Sequence, residues 1–190
     1  MAPHFDARPL SPETWAELEE LFGRPGGSIV RGCWCMHYRR SGRAPDGTDN
    51  KRELCSLVDA GAVPGLVGYL DDTPVGWISL GPRDEYARLE RSPIMKPVDE
   101  KPVWSIVCTF VDKTHRGLGL QRRLLRAAID HARGSGVTLL EAYPVDKAER
   151  SHDDFMFFGS RRLYEREGFR EVVRRSPTRI VMRRALRPRT

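Results

Sequence analysis

Positions 109–122 read TFVDKTHRGLGLQR and lead from a continuously apolar run through Gly117 and Gly119 into an amphipathic one. That pattern suits a phosphate. Glycine takes up positive φ at no steric cost and lets the backbone approach a ligand, while the unpaired N–H groups and positive end of a following helix attract an anion. Arg116 adds a full charge. Standing alone, RGLG reads equally well as a tight turn with no ligand. Two phosphate binders drop out: no Gly-Lys-Ser/Thr ending follows, as a nucleoside triphosphatase loop requires, and Arg122 stands where a dinucleotide fingerprint has its third glycine. Glu141, at a plausible spacing for a ribose contact, is the one feature favouring a dinucleotide.

A second constellation, Cys33-x-Cys35-x-His37, has the residue types of a zinc site. Its spacing is poor and no second ligand pair is evident, so no metal is expected. A Cys33–Cys35 disulfide would close an unfavourably small ring, which leaves soft, buried side chains as the expected role. Glu85, Asp153 and Asp154 would draw a cationic ligand, although exposed acids more often only solvate a surface.

The elements that must position these groups follow from periodicity. SPETWAELEELFG places Trp15, Leu18 and Leu21 or Phe22 on one face between a Ser11 cap and Gly23, and NKRELCSLVDAG repeats the pattern through Leu54, Leu57 and Val58. The long aperiodic stretch between them is expected to be a functional loop. GLVGYL and PVGWISLG, separated by Asp71, Asp72 and Thr73, predict an antiparallel hairpin. The polar, proline-punctuated 82–102 segment is expected to cross the surface. Continuously apolar 103–111 predicts a central strand covered on both faces. LQRRLLRAAIDHARGSG, apolar at 120, 124, 125, 128, 129 and 132, is the best-defined helix. TLLEAYPV reads as a strand, FMFFGSRRLYEREGF as a helix closed by Gly168, and VVRRSPTRIVMRRAL as one strand or two joined near Ser176 and Pro177. Residues 187–190 are expected to fray.

A chain of 190 residues suits one domain spanning 1–190 with its own core. Four cysteines are too few and too irregular for a secreted disulfide framework. The N-terminus lacks a signal-peptide pattern and no apolar run is long enough for a bilayer span, so a cytoplasmic protein without membrane contact is expected. The net charge of +6 owes much to C-terminal arginines. Without stacking aromatics among the basic residues or a recognition helix, nucleic acid is not an expected partner.

In the order of these elements and the RGLGLQ turn, positions 11–186 resemble the GNAT superfamily of N-acetyltransferases. The resemblance implies a single-domain α/β fold: a mixed, mostly antiparallel sheet flanked by helices, with a central β–Gly turn–α unit. It implies acetyl-CoA as the cofactor and a primary amine as the acceptor, attacked directly in a ternary complex; the long 24–50 loop, which would cover the pocket, points to a small-molecule amine. The family pattern Arg/Gln-x-x-Gly-x-Gly/Ala falls on Arg116, Gly119 and Gln121, where Gln121 replaces a small residue and would either crowd the phosphate or donate to it. By the same resemblance Arg116, Gly117, Leu118, Gly119, Leu120 and Gln121 wrap the pyrophosphate, and backbone groups of Phe110 and Val111 pair with the pantetheine arm. Tyr164 in LYEREGF matches the tyrosine that protonates the departing thiolate. The chain also looks like a bacterial subgroup carrying Cys33-Trp34-Cys35 and Pro82-Arg83-Asp84-Glu85-Tyr86, which names no acceptor.

A glutamate on the central strand often serves this superfamily as base, and Ser105 stands in its place. Glu141 is the first substitute, ahead of His37 or a water chain through Ser105; its bland alternative is pairing with arginines. A backbone N–H near Val111 would polarise the carbonyl. Trp34, Met36, Tyr38, Tyr86 and Phe158 are expected acceptor-pocket walls, in an arrangement suited to an apolar or aromatic amine or a lysine stem. Protein N-terminal or lysine acetylation and a non-catalytic acyl-CoA sensor stand as alternatives, and a homodimer stays open.

Overall fold

The structure, a computed structural model, describes residues 3–42, 46–146 and 157–187. Its sheet grows from the hairpin of β2 (Gly65–Leu70) and β3 (Thr73–Pro82). Asp71 and Asp72 lie at φ 46° and 64°, and two successive left-handed residues give the turn whose twist matches a hairpin. Leu70 therefore faces Thr73. On the far edge of β3 runs β4 (Trp104–Val111), antiparallel; β5 (Leu139–Ala142) joins β4 in parallel. With β1 (Phe5–Pro9), β6 (Arg170–Ser176) and β7 (Arg179–Ala185), the order is β1-β2-β3-β4-β5-β7-β6.

Two helical layers cover the sheet. Helix α5 (Leu120–Gly134) buries Leu120, Leu124, Leu125, Ala128, Ile129 and Ala132, the six positions its periodicity marks. Most of that stripe meets Leu66, Ile78, Ile106, Leu140 and Met182. The opposite face receives α1 (Trp15–Gly23), α2 (Ser28–Cys33) and α3 (Gly47–Asp59) over Val67, Tyr69, Trp77 and Phe110. Asp46 caps α3 by accepting from the N–H groups of Thr48 and Asp49. β4 is covered on both faces, as its composition requires.

Several elements differ from expectation. β1 is an unforeseen strand: FDARP carries little β-branched character, and its pairing to β2 makes the strand. The long loop after α1 contains α2. The segment after β3 is no simple surface crossing, because α4 (Ala87–Arg91) inserts there and Tyr86 and Leu89 are fully buried. α6 spans only Arg161–Arg166, since Gly159 at φ 74° turns the chain just ahead of it. Ser176 and Arg179 pair across a turn, so the C-terminal run forms two strands. Asp153 and Asp154 lie outside the described residues.

Candidate active site

The sheet opens at its centre. β4 pairs with β5 only from Trp104 to Ile106, yet stays paired with β3 as far as Val111. Ser79 faces Cys108 and Leu80 faces Ile106, which leaves Val107 as the extra residue of a bulge. A bulge bends its strand and increases twist, and here it coincides with the point where β5 departs. Beyond it, Asp112 N–H donates to Val75 on the β3 side and Thr109 N–H donates to Phe157 O at 2.6 Å on the other. By the two-residue alternation of a strand, Thr109 and Val111 present their backbone groups to the opening. Phe110 turns its carbonyl towards Gly76 of β3, so the two residues of the expected pantetheine pair face opposite ways.

A groove follows this edge from Phe157 past Thr109 and Val111 to Arg116, Gly117 and Gly119. Gly117 and Gly119 sit at φ 84° and 71°, and a Cβ at either would meet nothing within 4 Å. Backbone conformation therefore demands the glycines, and crowding does not. The N–H groups of residues 117–120 donate to no described acceptor, which leaves a row of donors at the start of α5 for an anion. Leu118 is 57% exposed on the outside of the turn. Asp112 caps the turn by accepting from Thr114 N–H at 2.9 Å. Burial raises its pKa, but hydrogen bonds from Thr114 and His115 outweigh that and hold it below the ordinary carboxylate value. Gln121 reaches back to Thr109 Oγ1 at 2.7 Å, and Arg116 Nε donates to Val111 O at 3.3 Å.

Tyr164 on α6 is fully buried, edge-on to Phe169 with ring centroids 5.1 Å apart. Its hydroxyl has no hydrogen-bond partner among the described residues. Burial, then the neighbouring Cys108, pushes its pKa well up, so the phenol holds its proton at neutral pH. An orphaned buried hydroxyl is uncommon in a folded protein and fits a group supplied by a ligand.

The expected acceptor walls separate into two places. Tyr38, Tyr86 and Phe158 share one cluster with Tyr143, Val107 and Val181, and the Phe158 ring lies 5.4 Å from that of Tyr38 and 6.5 Å from that of Tyr143. Trp34 and Met36 instead lie in the core under α1 and α3, with Trp34 stacked 5.8 Å from Trp15. Cys35 joins them and accepts from the Trp77 indole at 3.0 Å. Glu85 is ion-paired with Arg39. His37 packs edge-on to Tyr38, and burial, then Arg88, pulls its pKa below the usual value.

Glu141 is fully buried in a network that sequence reading had not assembled. Its Oε1 accepts from Arg83 at 2.9 Å and Tyr143 at 2.7 Å, and its Oε2 from Arg183 at 2.7 Å. The Ser105 hydroxyl lies 2.8 Å from that of Tyr143. A signal existed: Glu141 and Tyr143 alternate onto one face of the strand, and Arg183 does so on the neighbouring β7. Arg83 gave none, because its segment looked exposed.

A sequence model of the acetyltransferase (GNAT) family matches residues 32–169, a span that holds the opened strand, the glycine turn and Tyr164. The chain belongs to the GNAT family of acetyltransferases. It is thus an N-acetyltransferase with acetyl-CoA as donor. Among solved structures, an arylalkylamine N-acetyltransferase-like protein of mosquito matches with TM-score 0.61 and 16% identity, covering 96% of this chain and all (100%) of that one. An acetyltransferase from Thermus thermophilus matches with TM-score 0.53 and 19% identity over 96% and 97% of the two chains. A putative acetyltransferase from Salmonella typhimurium, solved with its cofactor acetyl-CoA, gives TM-score 0.54 and 19% identity over 96% and 94%. These likenesses show the fold. No curated protein sequence matches. Among the described residues of the acetyltransferase, no helix is long and apolar enough to cross a membrane.

Proposed function

We propose that the chain acetylates a primary amine of a small molecule by direct attack within a ternary complex. The observation that carries this reading is the buried Tyr164 hydroxyl, near Cys108 of the opened strand β4 and without a hydrogen-bond partner among the described residues. Bound acetyl-CoA supplies the thioester: the amine nitrogen bonds to the acyl carbon as the carbon–sulfur bond breaks, and the proton lost by nitrogen balances the one gained by sulfur.

Arg116 and the donors of residues 117–120 hold the diphosphate, and Thr109 and Val111 hold the pantetheine amides. For that, Phe157 must release the Thr109 N–H it now occupies. Tyr164 donates its proton to the leaving sulfur. The amine proton leaves through Ser105 and Tyr143 towards Glu141, whose oxygens are otherwise held by two guanidiniums. A small acceptor is favoured over a protein because the expected acceptor residues Tyr86 and Phe158 are buried together with Tyr143, out of reach of a bulky polypeptide. Four free thiols suit a reducing cytoplasm.

Replacing Tyr164 with Phe tests the reading. Thiol release from acetyl-CoA with an amine panel should fall by about 10²–10⁴ in kcat, while calorimetry shows acetyl-CoA still bound. Undiminished turnover in Tyr164→Phe would remove the proton-donor role.

A further inference from the structure

One face of β7 carries two arginines in opposite electrostatic situations. Arg183 divides its guanidinium between Glu141 at 2.7 Å and Asp99 at 2.8 Å. Arg179, on the same face with Val181 between them, makes no ion pair and no side-chain hydrogen bond with any described residue. Its guanidinium carbon instead lies 4.2 Å from the centroid of the Phe158 ring. Phe158 in turn is edge-on to Tyr38, so this cation forms part of the wall assigned to the acceptor.

The cost of that placement is visible. Arg8, Arg161, Arg174 and Arg183 have their pKa values raised by carboxylates, whereas burial lowers that of half-buried Arg179, and Tyr38 is the one group that opposes the shift. A cation–π contact offsets part of the lost hydration. It leaves the N–H donors of the guanidinium fork unused by any described residue. The acids among the described residues nearby are already paired: Asp146 with Arg161 and Arg174, Glu85 with Arg39, and Glu141 with Arg83 and Arg183. Arg88 adds positive charge beside Tyr38 and fastens that loop through the carbonyls of Arg40 and Gly42.

We infer that Arg179 receives a carboxylate on the acceptor, so that the amine substrate is an amino acid or another amine bearing one carboxylate. The inference rests on the acetyl-acceptor reading of the Tyr38 and Phe158 wall. A planar fork accepts a carboxylate through two parallel hydrogen bonds, and a single unpaired guanidinium balances a single negative charge. The rings of Phe158 and Tyr38 then lie against the apolar part of the same molecule.

Two measurements on the full chain test this. In the first, phenylalanine and phenylalaninamide are compared as acceptors by thiol release. The wild type should favour the acid by tenfold or more in kcat/KM. Arg179→Met, which keeps the apolar bulk on Phe158, should reduce the acid by about tenfold to a hundredfold and leave the amide within about twofold. Arg179→Lys should recover part of the loss, since it restores charge without the fork. In the second, calorimetry measures N-acetylphenylalanine and its amide as product-like ligands, with no turnover needed. Tighter binding of the acid that Arg179→Met abolishes supports the inference even if no acceptor is acetylated, in which case only the enzymatic reading fails. Equal binding of acid and amide by the wild type, or an equal effect of Arg179→Met on both, overturns it.

Discussion

Replacing Glu141 with Gln should be among the most damaging single changes in this chain. The carboxylate is 0% exposed, and the side chains of both its guanidinium partners are only 9% exposed. Losing its charge leaves two buried cations only their partly exposed second partners, Glu90 and Asp99, and the new amide must point donors at Arg183 or at Arg83 and Tyr143. Breaking a buried ion pair by removing one partner costs about 3–5 kcal/mol, a large share of the roughly 5–15 kcal/mol that holds a domain together. At about 2–4 °C per kcal/mol for a chain of this size, the melting midpoint should fall by about 6–20 °C. Urea titration followed by far-ultraviolet circular dichroism measures the loss. Glu90→Gln is the control: its carboxylate lies 3.3 Å from the same Arg83 but is 47% exposed, so it should cost no more than about 1 kcal/mol. A loss below about 1 kcal/mol for Glu141→Gln would mean that water reaches the network and that burial does not set its cost.

Tyr143→Phe keeps the ring against Phe158 but removes the link between Ser105 and Glu141; kcat should fall, and the alkaline rise of kcat with pH should steepen as free amine replaces assisted deprotonation. Gly119→Ala imposes a side chain at φ 71°, which should cost about 1–2 kcal/mol in stability although space for a methyl exists. Glu167 is held below the ordinary carboxylate pKa because hydrogen bonds from Arg122 and Arg126 outweigh burial. A depressed folded pKa gives stability that is complete above the unfolded value of about 4.3 and is lost as pH falls through the folded one. Urea midpoints of the wild type should therefore decline below about pH 4.5, and Glu167→Gln should flatten that slope.

Legibility followed periodicity. The stripe of α5, the β2–β3 hairpin and the apolar β4 were all readable because burial imposes one side-chain pattern on each. β1 was not, since the edge strand is made by its pairing to β2 and carries no pattern of its own. Gly117 and Gly119 announced a turn, and their positive φ values explain why glycine stands there. The direction in which Phe110 and Val111 face depended on register, which a sequence does not reveal. Tyr38 and Trp34, four residues apart, went to different clusters: the left-handed Trp34 and Cys35, at φ 45° and 54°, and Met36 after them stay in the core under α1 and α3, and Tyr38 beyond them joins Phe158. Glu141 drew its partners from three distant segments, so its environment appeared only in the fold.

The most direct test of the account is calorimetric titration of the whole chain with acetyl-CoA, alongside Arg116→Ala. One molecule should be taken up per chain, and loss of the guanidinium should weaken binding by roughly tenfold or more. No uptake by the wild type, or an affinity untouched by Arg116→Ala, would contradict the assignment of the diphosphate to the 116–121 turn.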